Sequence, residues 1–169
     1  MTLSFSQTIN GKPNYFIEKI WNGLLYGNHG EYHYSYNVFL EEYREKFKND
    51  WDGHPDNNLP PKLHTIRLDP HNRWKPGNLI HPVIKPEGRF SAGFQFSPVI
   101  KCVSVQTIEI LYFEPHKNRG FVYVDGLLIS GKYLQQLAIN DGFDSIEDFF
   151  AYFNKDFTGK IIHWTDLKY

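Results

Sequence analysis

The chain has 169 residues, 18 Lys or Arg against 19 Asp or Glu, 41% hydrophobic and 17% aromatic residues, and one cysteine. That is enough apolar material for one domain, which buries about 70% of the surface of its unfolded chain. The composition excludes a disordered chain and an internal disulfide, and no apolar run approaches the length of a membrane span. The lone Cys102 and the lack of a basic-then-apolar leader give the expectation of a soluble cytoplasmic protein.

Charge is uneven along the chain. Residues 62–101 hold seven Lys or Arg against Asp69 and Glu87, a balance of +5, while the remainder carries −6. A local positive field attracts an anion even on a nearly neutral chain, although strand ends are also Lys- and Arg-rich for solubility.

In chain order, Leu3, Phe5 and Gln7 alternate with polar residues, the period of a half-buried strand, and Asn10-Gly11 breaks it. Pro13 suits the first turn of a helix in which Phe16, Ile17, Ile20, Trp21 and Leu24 recur at helical spacing. Asn14, Glu18, Lys19 and Asn22 fall on the other side of it. Residues 26–61 read as an insert. Gly27, Gly30 and Tyr32, Tyr34 and Tyr36 predict an irregular aromatic segment, Asn37 caps a helix through about Lys48, and Asn49–Pro61 is a loop. His29 and His33 have the spacing of helical metal ligands, but the neighbouring glycines oppose a helix there, and no metal or other cofactor is expected.

The stretch Lys62–Gly77, K-L-H-T-I-R-L-D-P-H-N-R-W-K-P-G, carries the densest polar chemistry. Pro60-Pro61 keep the entering chain extended, Leu63, Thr65, Ile66 and Leu68 suit a short strand, and Asp69-Pro70 stop it. Lys62, His64, Thr65 and Arg67 therefore crowd one strand, and Arg73, Trp74 and Lys75 follow in the next turn. The expectation is a ligand site. Each residue has a plainer reading: a solvated lysine at a strand entry, a strand threonine, a locally bonded histidine, a structural arginine, a core tryptophan.

Strand signals then dominate. Leu79–Ile84, Phe90–Phe96 and Val99–Phe113 are rich in Val, Ile and Phe, and Cys102 reads as a buried apolar residue. Asp125-Gly126 marks a hairpin between Phe121–Val124 and Leu127–Ile129. Tyr133, Leu134, Leu137 and Ala138 predict a helix stopped at Gly142; Asp144 or Ser145 caps a second one with Ile146, Phe149, Phe150 and Phe153; Gly159–Trp164 closes as a strand. The order suggests an α+β fold, with a small mixed sheet or partly closed barrel.

K-L-H-T-I-R at 62–67, W-K-P-G at 74–77 and L-A-I-N-D-G-F at 137–143 resemble the ASCH domains, relatives of the PUA fold. The resemblance implies one domain over 1–169, a compact β-barrel flanked by helices with residues 26–61 as a helical insert, and a cleft for RNA or a nucleobase. The small bacterial acetylcytidine amidohydrolases of that group are similar at a catalytic lysine, a threonine three positions on and a glutamate in the helical region. Lys62 and Thr65 fall on the first two positions, and Asp141 lies nearest the third. Gly77-Asn78 stands where the family has Gly-Asp. In the chemistry so implied, a desolvated Lys62 draws a proton from Thr65 or water, Asp141 orients the substrate, and Arg67 or a backbone N–H holds the oxyanion. Lys62 and Thr65 converge only if a bulge intervenes or Lys62 precedes the strand, because residues three apart on a strand face opposite ways. Three functions are therefore expected candidates: RNA or modified-nucleoside binding involving His64, Arg67, Arg73, Trp74 and Lys75; acyl removal from an acylated cytidine; or partner binding through the insert.

Overall fold

The computed structural model describes residues 1–27, 31–51, 58–84, 93–113 and 120–169. The chain divides into two compact units, Met1–Pro61 with Leu79–Ile100, and Lys62–Asn78 with Lys101–Tyr169.

In the first unit, alternation of buried Leu3 and Phe5 builds β1 (Thr2–Phe5), as the sequence suggests. It pairs in parallel with a later strand, Leu79–Ile84, which pairs in turn with the short strands Phe94–Gln95 and Ile100–Lys101. Asn10 (φ 51°) and Gly11 (φ 76°) form a tight turn between β2 (Thr8–Ile9) and β3 (Lys12–Pro13). Two successive positive φ angles are what a two-residue hairpin needs. Pro13 is thus in a strand and not in a helix. The Asn14 side chain opens α1 (Phe16–Gly27) instead, its Oδ1 accepting from the Phe16 N–H at 2.9 Å.

The apolar side of α1 is buried as expected, but Lys19 is buried with it. Helix α2 (Glu31–Phe47) starts six residues before the expected Asn37 cap, so Tyr32, Tyr34 and Tyr36 are helical. The helix cost of a tyrosine is a few tenths of a kcal/mol, small enough for cooperative extension and packing to override. Phe39, Tyr43 and Phe47 meet Phe94 at 5.5–5.8 Å between ring centroids. Trp51 donates to Glu18 Oε1 and Asn22 to the Leu59 carbonyl, which ties the tract after α2 to α1. His29, with residues 52–57 and 85–92, lies outside the described residues, and so do the His29/His33 spacing and the start of the Phe90–Phe96 strand.

The second unit is a five-stranded antiparallel sheet. In chain order its strands are β4 (His64–Arg67), β8 (Ser104–Leu111), β9 (Phe121–Val124), β10 (Leu127–Ile129) and β11 (Phe157–His163), where β5, β6 and β7 are the three late strands of the first unit. Spatially they run β10-β9-β8-β11-β4. The expected single run Val99–Phe113 is broken before Ser104, and Cys102 at the break is fully buried, with burial pushing its thiol up from its ordinary value. Asp125 (φ 49°) and Gly126 (φ 82°) make the expected hairpin turn.

Strict alternation along β8 puts Ser104, Gln106, Ile108 and Ile110 on one buried face. The cross-strand register adds His64, Ile66, Ile161, His163, Val122 and Val124 to that face. One end of it is therefore apolar and the other polar. Helix α3 (Gly131–Asn140) ends as the sequence predicts: Gly142 has φ 94°, and Phe143 N–H returns to the Ala138 carbonyl at 3.0 Å. Ser145 caps α4 (Ile146–Tyr152) by accepting from Asp148 N–H at 3.0 Å.

The architecture is α+β. The expected barrel is not formed: among the described residues every sheet is open, and β4, only four residues long before Asp69-Pro70, stands at the sheet edge opposite β10. No described helix is long and apolar enough to cross a membrane.

Candidate functional site

Lys62 enters just before β4 and is fully buried. Its Nζ donates to Asp141 Oδ1 at 2.8 Å and also to the Asp141 backbone carbonyl. Asp141 sits at the turn that ends α3, where the Leu63 N–H to Asn140 carbonyl bond (2.8 Å) joins the two segments. Its Oδ1 also accepts from the Ile66 N–H at 3.0 Å. Burial works against the Asp141 carboxylate, yet the Lys62 charge and His64 outweigh it and hold its pKa below the ordinary carboxylate value. The lysine and the carboxylate expected to act together do meet, in a closed ion pair.

Thr65 is buried, and strand alternation puts it on the sheet face opposite His64 and Ile66, beside its register partner Ile162. Lys62 lies outside the strand, as convergence with Thr65 would require, but the Asp141 carboxylate is held on the His64 and Ile66 side.

His64 is fully buried. Its Nδ1 stands 3.6 Å from Asp141 Oδ1 and its Nε2 is 2.8 Å from the Tyr169 hydroxyl. Asn140 Nδ2 donates to that hydroxyl at 2.8 Å; with His64 assigned the tautomer protonated at Nδ1, the phenol donates to Nε2 and Nδ1 lies toward Asp141. Burial lowers the His64 pKa despite Asp141 and raises that of Tyr169, so both rings are neutral near pH 7. The Tyr169 backbone is read by one side chain: Gln106 Nε2 donates to its carbonyl at 2.9 Å and Gln106 Oε1 accepts from its N–H at 3.0 Å. His163, directly across from His64 with ring centroids 5.2 Å apart, is fully buried, and burial followed by the His64 charge lowers its pKa to about 3. Among the described residues neither of its ring nitrogens, nor Ser104 Oγ beside it, has a hydrogen-bond partner.

The other end of β4 is open. Ile66, Arg67 and Leu68 with Tyr152, Phe153, Asn154, Lys155, Asp156 and Phe157 line a cleft of about 460 Å³. Arg67 is half-buried, and burial lowers its pKa against the opposing pull of Asp141 and Tyr152. Asp156 is already engaged, its Oδ1 accepting from the Tyr112 N–H at 2.8 Å.

The remaining expected ligand residues serve a turn. Asp69 accepts from the Arg73 N–H (3.1 Å) and the Trp74 N–H (3.0 Å), and these bonds depress its pKa although burial opposes them. Trp74 is buried, while the Arg73 and Lys75 side chains are exposed and border none of the 460 Å³ cleft. The sequence reading missed Gln106, Asn140, His163 and Tyr169. The signal available for three of them was a polar residue at a position whose strand or helix neighbours are core residues.

No family model, curated protein or solved structure matches this chain.

Proposed function

We propose that this protein binds RNA or a modified nucleobase, the flat base entering the cleft at the Arg67 end of β4. The observation that carries this reading is a half-buried guanidinium lining a cleft of about 460 Å³ together with Lys155 and the aromatic residues Tyr152, Phe153 and Phe157. A guanidinium and a lysine supply charge for phosphate or a carbonyl edge, and a base stacked on an aromatic ring contributes about 1–3 kcal/mol. A cytoplasmic setting fits the lone buried Cys102. The resemblance of residues 62–67, 74–77 and 137–143 to the ASCH domains accords with this ligand class.

Acyl removal from an acylated cytidine is the second reading, favoured by the 2.8 Å contact of Lys62 with Asp141. It stands below binding because Lys62 is fully enclosed and already paired. One panel tests both. Titrating RNA oligomers and modified nucleosides should give binding that Arg67→Met and Tyr152→Ala weaken and Lys62→Ala leaves in place. Acetate released from acetylcytidine, and lost in Lys62→Ala, would transfer the assignment to the enzyme.

A further inference from the structure

Tyr169 lies beyond β11 in no regular element, yet both its side chain and its backbone are held by specific polar contacts. Asn140 and His64 bind its hydroxyl, Gln106 reads both polar atoms of its backbone, and its ring stands edge-on to His64 at 5.4 Å and 6.1 Å from His163. We propose that Tyr169 stands in for a ligand: its ring fills a pocket for a neutral flat ring with hydrogen-bonding atoms along its edge, and the pocket opens when Tyr169 leaves.

The wall carries more hydrogen-bonding capacity than a phenol can use. His163 is fully buried with both ring nitrogens unpartnered among the described residues, and Ser104 Oγ, its cross-strand neighbour, is unpartnered too. A structural core avoids such groups, because a buried donor or acceptor without a partner forfeits its water and gains nothing. Tyr169 gives them no hydrogen bond, whereas a heterocycle in its place brings ring nitrogens or oxo groups that could. The ligand is neutral because, among the described residues, the buried charges at this end, Lys62 and Asp141, neutralise each other. His64, whose Nε2 faces the Tyr169 hydroxyl, and the Asn140 amide would read one oxygen of the incoming ring, where that hydroxyl now sits. This pocket shares no lining residue with the Arg67 cleft and does not depend on what that cleft binds.

The test uses the full chain carrying Tyr169→Ala, with uracil and p-cresol as probes in calorimetry and thermal-shift assays. Uracil should bind Tyr169→Ala at least tenfold tighter than the unaltered protein. Adding Asn140→Ala should abolish that gain, adding Arg67→Met should not, and p-cresol should bind more weakly than uracil. Binding of p-cresol without uracil would overturn the proposal, since the space would then be a socket for tyrosine alone. Binding of neither probe by a folded variant would overturn it as well. Should Tyr169→Ala fail to fold, Tyr169→Phe keeps the ring and loses the hydroxyl contacts: uracil affinity above that of the unaltered protein supports the proposal, and unchanged affinity overturns it.

Discussion

Removing one partner of the Lys62–Asp141 pair should be far more damaging than removing both. Lys62→Met leaves the Asp141 carboxylate enclosed, with the Ile66 N–H and His64 against it among the described residues. Asp141→Asn keeps an oxygen for the Ile66 N–H and for Lys62 but removes the negative charge that balances the buried ammonium. Breaking a buried pair from one side costs about 3–5 kcal/mol, a large share of the roughly 5–15 kcal/mol that holds a domain folded. In Lys62→Met/Asp141→Asn no net charge stays buried, and the remaining cost is that of imperfect hydrogen bonding, about 1–3 kcal/mol. A coupling energy of at least about 2 kcal/mol should therefore separate the double variant from the sum of the singles. Urea unfolding of the four proteins, followed by both tryptophan fluorescence and circular dichroism, gives the cycle; coincident transitions are required because the chain has two compact units. Single-variant losses that add to within about 0.5 kcal/mol would refute the closed ion pair.

Acid should weaken the fold before any carboxylate titrates. The His163 pKa falls from about 6.5 in the unfolded chain to about 3 in the fold, so the unfolded chain takes up the proton first as pH drops. Its contribution is whole above about pH 6.5 and is lost progressively toward pH 3; at pH 5 the loss is about 2 kcal/mol, and His64 acts in the same direction. Stability curves at pH 7.5 and pH 5 should differ by at least that much, and His163→Phe should remove most of the difference; a variant with the same pH slope would contradict the assignment. Gly159 lies where a Cβ would meet the Arg67 carbonyl and the Phe157 ring at 2.6 Å, so Gly159→Ala should cost about 1–3 kcal/mol by overpacking. An unchanged thermal midpoint would show that the β4–β11 spacing yields.

Elements whose signal is local were readable from the residues. The Asp125-Gly126 turn, the Gly142 stop, the Ser145 cap and the apolar side of α1 each follow from a few neighbouring positions. The early start of α2 was not readable, because three tyrosines have no strong preference of their own and helical extension is cooperative. Pro13 lies in a strand because Asn10-Gly11 is a hairpin turn and not a plain stop, a distinction set by the pairing of β2 with β3. In the site, Lys62 and Asp141 were brought together by family resemblance and do touch, although nothing within the sequence links positions 79 apart. Thr65 is separated from their contact by strand alternation. Gln106, His163 and Tyr169 could not be grouped beforehand, since their proximity depends on the β8–β11–β4 register, which no single segment encodes.

The proposed function stands or falls on whether the Arg67 cleft receives a base. The most direct measurement is an NMR titration of the ¹⁵N-labelled chain with single-stranded RNA and with modified nucleosides. Shifts should concentrate at residues 66–68 and 152–157, be reversed by salt for RNA and be lost in Arg67→Met. A complete panel that leaves those resonances unmoved, or moves them equally in Arg67→Met, would contradict it.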